Sequence, residues 1–84
     1  WLNNVTVGDD KLNVKSNAGA KIVIEIRNRG KVVAGATVDS ATGDFQDVNL
    51  QANGSAYKLK RGDIVIIEAT KGAARANKLF RFVR

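Results

Sequence analysis

Residues 21–27 read Lys-Ile-Val-Ile-Glu-Ile-Arg, and this stretch decides the fold class of the chain. Its three isoleucines alternate with a valine and with charged side chains. Because successive side chains of a β-strand point to opposite faces, this order predicts a strand with one buried face and one mostly solvent-exposed face. The triplet Asn28-Arg29-Gly30 follows directly and predicts a tight turn.

Similar short runs rich in Val, Ile, Thr and Phe lie on both sides of this strand, and eight glycines punctuate the chain. No window of helical length repeats with a period of 3.6 residues, so the pattern favours an all-β chain. Besides 21–27, we expect strands at residues 4–7, 11–15, 31–38, 45–51, 63–70 and 78–83. About seven short strands in 84 residues are typical of a sandwich or a small barrel.

The segment 63–70 is too apolar for simple alternation, which indicates a central strand covered on much of both faces. We assign Val65, Ile67 and Ala69 to the interior. Ile64 and Ile66 then share the outer side of the sheet with Val23 and form an apolar stripe that needs a neighbour. These three residues, together with Trp1, are the predicted interface residues.

The segment 45–51 predicts an irregular strand. Phe45 is out of phase with Val48 and Leu50, so burying all three requires a bulge or a change of partner near Gln46-Asp47. We expect Phe45 in the core, together with Phe80 and Phe82.

The composition narrows the chemistry that the chain can perform. At this length it has room for a single domain, residues 1–84, with one hydrophobic core. It contains no His, Cys, Met or Pro, which removes imidazole bases, thiolates, disulfides and the nitrogen and sulfur ligands of metals. We therefore predict that it is not an enzyme and carries no cofactor. The oxygen ligands of calcium could come from Asp9, Asp10, Asp39, Asp44 and Asp47, but no Asp-x-Asp-x-Asp-Gly loop is present. We assign these acids to turns and predict no metal site. No apolar run approaches the roughly 20 residues that span a bilayer, so we expect no membrane insertion.

Three motifs stand in the order found in bacterial immunoglobulin-like domains. The first is the strand 22–26 with its Asn28-Arg29-Gly30 turn, followed by Lys31-Val32-Val33. The second is the stretch 39–45, where an Asp and a Gly-containing turn precede a Phe. The third begins at Leu59 and continues through the Gly62-Asp63 turn and the strand 65–70 to Lys71-Gly72. Over nearly its whole length the chain thus resembles the Big-type domains that occur in tandem in adhesins, S-layer proteins and secreted polysaccharide hydrolases. The usual Ala-Gly-Asn ending of that family is replaced by Gly72-Ala73-Ala74-Arg75.

The resemblance implies an all-β, immunoglobulin-like Greek-key sandwich of about seven strands in two antiparallel sheets, without a disulfide or a catalytic site. It implies a structural or spacer module of a bacterial secreted or cell-surface protein, and hence an extracellular location. The chain begins at Trp1 without Met and ends at Arg84 after an apolar run. We expect it to be excised from a longer polypeptide, whose neighbouring domains are its partners.

An alternative function follows from the charges, since fourteen Lys and Arg against eight Asp and Glu give a net charge of +6. Basic residues concentrate in the C-terminal part and in strands expected to share a sheet. The candidate anion-binding residues are Arg27, Arg29, Lys31, Lys71, Arg75, Lys78, Arg81 and Arg84. Such a surface would bind anionic cell-wall polymers or polysaccharides. The same charges also keep sheet edges soluble, a role that needs no partner.

Nucleic acid is a third candidate partner, because basic residues before a Gly-Asp turn and an apolar strand also occur in oligonucleotide-binding barrels. Those barrels stack bases on exposed aromatic rings. With the three phenylalanines expected in the core, too few rings remain, and nucleic acid is not predicted as a partner. Arg61-Gly62-Asp63 also spells the integrin-binding tripeptide, but we expect the following strand to draw Asp63 into the sheet.

Overall fold

The computed structural model of the chain describes residues 1–72 and 77–84. Within these residues the protein is all-β, with eight strands in two antiparallel sheets. The strands are β1 (Lys11–Val14), β2 (Ala20–Asn28), β3 (Lys31–Ser40), β4 (Gln46–Asn49), β5 (Gln51–Ala52), β6 (Ser55–Ala56), β7 (Ile64–Thr70) and β8 (Asn77–Phe82).

The small sheet pairs β1 with β4 and is extended by the start of the chain. Leu2 forms a bridge with Val14, and the Lys15 N–H donates to the Trp1 carbonyl at 3.0 Å. Residues 1–3 therefore lie beside β1, whereas the strand predicted at residues 4–7 is absent from the structure.

The large sheet has the order β6-β5-β3-β2-β7-β8. The long β2–β3 hairpin forms its centre, and its register shifts between Ile26 and Arg27, where a bulge leaves Val33 without an opposite residue. Strands β2, β7 and β8 share this sheet, as the resemblance to immunoglobulin-like sandwiches implies for the predicted strands 21–27, 63–70 and 78–83. The hairpin β5–β6, with its Asn53-Gly54 turn, was not predicted.

The core lies between the two sheets. The alternating isoleucines of β2 and the inner residues of β7 are buried against the small sheet, and segments flanking the strands complete the cluster. The fully or nearly fully buried apolar residues are Leu2, Leu12, Val14, Ile22, Ile24, Ile26, Ala34, Val48, Leu50, Leu59, Val65, Ile67 and Val83. Burying one such side chain stabilises the fold by about 1.5 to 3 kcal/mol, so this cluster is the main source of stability. The inward assignment of Val65 and Ile67 is confirmed, while Ala69 is half-buried.

The predicted irregularity near Gln46-Asp47 is wrong. Strand β4 pairs with β1 in unbroken register and begins after Phe45, so Phe45 is not held in phase with the strand. The chain changes partner later, at the buried Leu50, where it passes from β4 in the small sheet to β5 in the large sheet. Phe45 is 43% exposed and does not belong to the core.

The prediction that Phe80 and Phe82 lie in the core is also wrong, because they are 63% and 62% exposed. Strand β8 turns Leu79 and Arg81 toward the interior and both phenylalanines away from it. The physical reason is that the buried Val83, which follows the strand, shares its phase with Leu79 and Arg81.

Candidate interaction surfaces

One side of the large sheet carries apolar side chains that the core does not use. We call this set the outer face: Val23 on β2, Ile64 and Ile66 on β7, and Phe80 and Phe82 on β8. The phenylalanines are mostly exposed, Val23 is 39% exposed, and the two isoleucines are half-buried. The structure thus places the predicted stripe on one surface and adds two aromatic rings to it.

Strand register brings the side chains of the outer face together. In the β7–β8 pair, Ile66 lies opposite Phe80 and Ile64 lies opposite Phe82. Opposite residues on one face of an antiparallel pair have Cβ atoms about 4.5 to 5.5 Å apart, so the two pairs form one apolar strip. Because β8 ends the sheet order, this strip reaches the edge of the sheet. Exposed strips of this kind are typical of interaction surfaces.

Charged side chains surround the strip in compensating pairs. The Arg27 guanidinium lies 3.1 Å from the Glu25 carboxylate, and the Lys78 ammonium lies 3.6 Å from that of Glu68. Lys21 stands opposite Asp39 in the β2–β3 register. On this side of the sheet, three cations are matched by three acids within the described residues, although the chain carries +6. The outer face is therefore apolar and close to neutral rather than basic.

The predicted anion-binding residues separate into groups. Arg29, Lys31 and Arg84 lie at the end of the sheet where β2 meets β3, while Lys71 lies at the opposite end. The six residue-to-residue steps from Lys21 to Arg27 put about 20 Å between these ends. Arg27 and Lys78 form the ion pairs of the outer face, Arg81 points toward the interior, and Arg75 lies outside the described residues. No single basic face joins the whole set within the part of the chain that the structure describes.

The end that carries Arg29 is organised by the carboxylate of Asp63, which is fully buried. Its Oδ1 accepts a hydrogen bond from the Asn28 side-chain amide at 2.6 Å. Its Oδ2 accepts from the Tyr57 hydroxyl at 2.7 Å and from the Lys60 backbone N–H at 2.8 Å. Asp63 therefore ties the β2–β3 turn to the segment before β7, and its carboxylate cannot reach a receptor in the manner of the integrin tripeptide.

These contacts shift the pKa of the Asp63 carboxyl and the pKa of the Tyr57 hydroxyl. Burial opposes the charge of Asp63, but the hydrogen bonds from Asn28, Lys60 and Tyr57 and the charge of Lys60 outweigh it and hold the pKa of the carboxyl below its usual value of 3.8. Burial, then the hydrogen bond to Asp63 and its negative charge, raise the pKa of Tyr57 from 10.0 to about 12. At neutral pH the pair is a charged acceptor and a neutral donor.

A shallow cleft of about 670 Å³ opens beside this network. Four cationic residues line it in two pairs, Arg29 and Lys31 from the β2–β3 turn and Lys60 and Arg61 from the turn before β7. Lys60 and Arg61 were not predicted as site residues. The signal for them was present, because two basic pairs occupy the two turns that bound the neighbouring strands β2 and β7.

A second cleft, of about 860 Å³, lies between the sheets at the opposite end. The predicted interface residue Trp1, which is 76% exposed, lines it together with Phe45. The Lys15 ammonium lies 5.4 Å from the centre of the Phe45 ring, within the range of a cation–π contact. Trp1 is thus separated from the outer face and does not join the other predicted interface residues.

Within residues 1–72 and 77–84, three or more acidic side chains nowhere come together as metal ligands, and no helix is long and apolar enough to cross a membrane. Comparisons of the chain with protein-family models, with curated proteins and with solved structures find no match.

Proposed function

We propose that this chain is a non-catalytic, immunoglobulin-like structural module of a bacterial secreted or cell-surface protein, and that its outer face docks against a neighbouring domain of the same polypeptide. The observation that carries the proposal is the exposure of Phe80 and Phe82 beside Ile64, Ile66 and Val23 on a charge-balanced sheet.

The order of strand pairing supports the immunoglobulin-like part of the proposal. In that arrangement strands A, B and E share one sheet, and strands C, F and G share the other. Residues 1–3, β1 and β4 fit the positions of A, B and E, and β2, β7 and β8 fit those of C, F and G, while no strand of the described residues stands for D, the fourth strand of the first sheet. The chain crosses between the sheets after β1, after β3 and after β4, and these crossings support a Greek-key path.

The chemistry of the outer face favours a protein domain as its partner. Aromatic residues are enriched in the centre of protein interfaces, whereas unpaired charges are depleted there. Phe80 and Phe82 would also suit base stacking, but the cations on the same side of the sheet are matched by acids such as Glu25 and Glu68 and leave no excess positive charge for phosphate groups. A second copy of the chain is disfavoured by the repulsion between two chains of +6 charge.

Amide hydrogen exchange tests the docking proposal. The isolated chain is compared with the longer polypeptide that contains its neighbouring domain. We expect the β8 amides to exchange more slowly in the longer polypeptide, since docking covers that edge of the sheet. The double variant Phe80→Thr, Phe82→Thr should remove this added protection. In the isolated chain it should change the free energy of unfolding by about 0.5 kcal/mol or less, because both rings are exposed.

Val7→Thr is a matched control, because Val7 is also an exposed apolar residue but lies outside the sheet. It should leave the exchange of β8 unchanged. Equal β8 exchange rates in the isolated chain and the longer polypeptide would contradict docking. A dimer of the isolated chain in sedimentation, dissociated by the double variant, would assign the outer face to a second copy instead.

A further inference from the structure

Two turns at one end of the sandwich bring four cations around a single cleft. Arg29 and Lys31 belong to the turn that joins β2 and β3, and Lys60 and Arg61 belong to the turn that leads into β7. All four are exposed. This concentration of charge stands apart from the outer face, where each cation has an acidic neighbour.

The two turns are held rigidly with respect to each other. The bond of 2.6 Å from the Asn28 amide to the Asp63 carboxylate joins the first position of one turn to the last position of the other. The second turn is closed by the Asp63 N–H, which donates to the Lys60 carbonyl at 3.1 Å. It is also tied to the segment after β8, because the Gly62 N–H donates to the Val83 carbonyl at 3.0 Å. A fixed scaffold of this kind lowers the entropy lost when the cations bind a ligand.

Asp63 lies behind the cleft and does not line it. The carboxylate is fully buried and accepts three hydrogen bonds from the surrounding chain. The four cations therefore face the solvent without an exposed acid among the residues that line the cleft.

The backbone at Arg29 supplies an independent observation. Arg29 has φ of 54°, in the left-handed region that costs a non-glycine residue stability and that Asn adopts most readily. At the matching position of the β5–β6 turn the chain has Asn53, with φ of 52°. One turn thus has the favoured residue and the other an arginine displayed at its tip, and such a departure from the favoured residue points to a function for that side chain.

The geometry points to a binding site for an anionic polysaccharide in this cleft, with Arg29, Lys31, Lys60 and Arg61 binding sulfate, phosphate or carboxylate groups spaced along the polymer. Guanidinium groups bind such anions through two parallel hydrogen bonds, and ammonium groups act as point charges. The cleft of about 670 Å³ has four cations on its lining, which is more positive charge than a single small anion needs for binding.

The lining of the cleft favours a saccharide over nucleic acid. Tyr57 is its one aromatic residue. The Tyr57 hydroxyl is bonded to Asp63, and the Lys60 ammonium lies 5.9 Å from the centre of its ring. One ring, held through its hydroxyl and approached by Lys60, is less than the row of exposed rings on which proteins stack single-stranded nucleic acid.

Affinity for short heparin oligosaccharides, measured by calorimetry at low and moderate salt, tests the site. The double variant Arg29→Asn, Arg61→Ala should weaken binding about tenfold and reduce the salt dependence, because each exposed charge pair contributes modestly. The control Lys21→Ala, Lys71→Ala removes the same number of charges at the other end of the sheet. It should change the affinity by less than about twofold.

Equal losses in the two double variants would overturn the site, because they would mean diffuse attraction by net charge. Tighter binding of an oligothymidylate of equal charge than of heparin would overturn the saccharide assignment. The double variant Lys31→Ala, Arg61→Ala leaves Arg29 and its left-handed backbone unchanged. It should weaken heparin binding about as much as the first double variant. Arg29→Lys keeps the charge but loses the paired hydrogen bonds of the guanidinium, so it should weaken binding less than Arg29→Asn does, and equal losses in these two variants would contradict a role based on charge.

Discussion

The two ends of the sandwich are closed by different means. At the Asp63 end, a fully buried carboxylate accepts three hydrogen bonds and joins two turns. At the Ser40 end, the buried Ser40 hydroxyl donates one bond of 3.2 Å to the Ser16 carbonyl, and the cleft lined by Trp1 and Phe45 lies open beside it. The chain has no Cys and hence no disulfide, and the hydrogen bonds to the charged Asp63 hold its end of the sandwich together instead. The cations Arg29, Lys31, Lys60 and Arg61 lie at this end.

Substitution of the two buried polar residues, Asp63 and Ser40, should give the largest difference in stability between the two ends. Asp63→Ala should lower the free energy of unfolding by about 3 kcal/mol, since it leaves the donors of Asn28, Tyr57 and Lys60 without their charged acceptor. Ser40→Ala should cost about 1 kcal/mol, because one neutral hydrogen bond is lost. Urea denaturation measures both values, and equal losses would mean that the ends are equivalent.

Acid should weaken the Asp63 end selectively. The folded pKa of Asp63 lies below its usual value of 3.8, so its ionised form stabilises the fold above that pH. This contribution should be lost as the pH falls below about 4 and through the folded pKa. Urea midpoints measured at successive pH values should fall more steeply for the wild type than for Asp63→Ala. Parallel curves would show that Asp63 does not cause the loss.

Tyr57→Phe should have a smaller effect, about 1 kcal/mol, because one donor to the carboxylate is removed and two remain. The raised pKa of Tyr57 adds a signature at alkaline pH. The neutral hydroxyl stabilises the fold below pH 10, and this contribution is lost as the pH rises toward about 12. Alkaline denaturation of the Phe variant should lack this component, and an identical pH profile would contradict the assignment.

The smallest expected effect concerns the β2–β3 and β5–β6 hairpin turns, where a substitution should raise the free energy of unfolding instead of lowering it. Arg29→Asn should stabilise the chain by about 0.5 kcal/mol, because Asn tolerates the left-handed conformation better than Arg. Asn53→Arg, the reciprocal change, should destabilise it by a similar amount. Thermal melts of both variants measure this, and a loss of stability in Arg29→Asn would mean that the arginine supports the fold.

Sequence reasoning was most successful where one strand face is purely apolar. The isoleucines of β2 define their own phase, and in the apolar run of β7 the set Val65, Ile67 and Ala69 was assigned inward. The all-β class could be predicted from the residues alone, whereas the common sheet of β2, β7 and β8 was implied by the resemblance to immunoglobulin-like domains. The outward position of Ile64 and Ile66 followed from the same phase.

Strand β8 could not be assigned because both of its phases contain large apolar residues. Outward phenylalanines require an inward Arg81, which a sequence pattern does not favour. The structure accommodates Arg81 because its guanidinium donates to the carbonyls of Leu2 and Asn3, at 3.3 Å each. Those acceptors lie almost the full length of the chain away, so local periodicity could not reveal them. The β5–β6 hairpin, in contrast, carried the Asn-Gly signal and could have been predicted.

Trp1 and Arg84 lie at opposite ends of the strands, and this has a mechanical consequence. Tension applied between these two residues pulls residues 1–3 along β1 and pulls β8 along β7. Both loads run parallel to the strands and across their hydrogen bonds, so the bonds of each pair share the load. We expect this arrangement to resist stretching along the strands better than one in which the bonds open one after another.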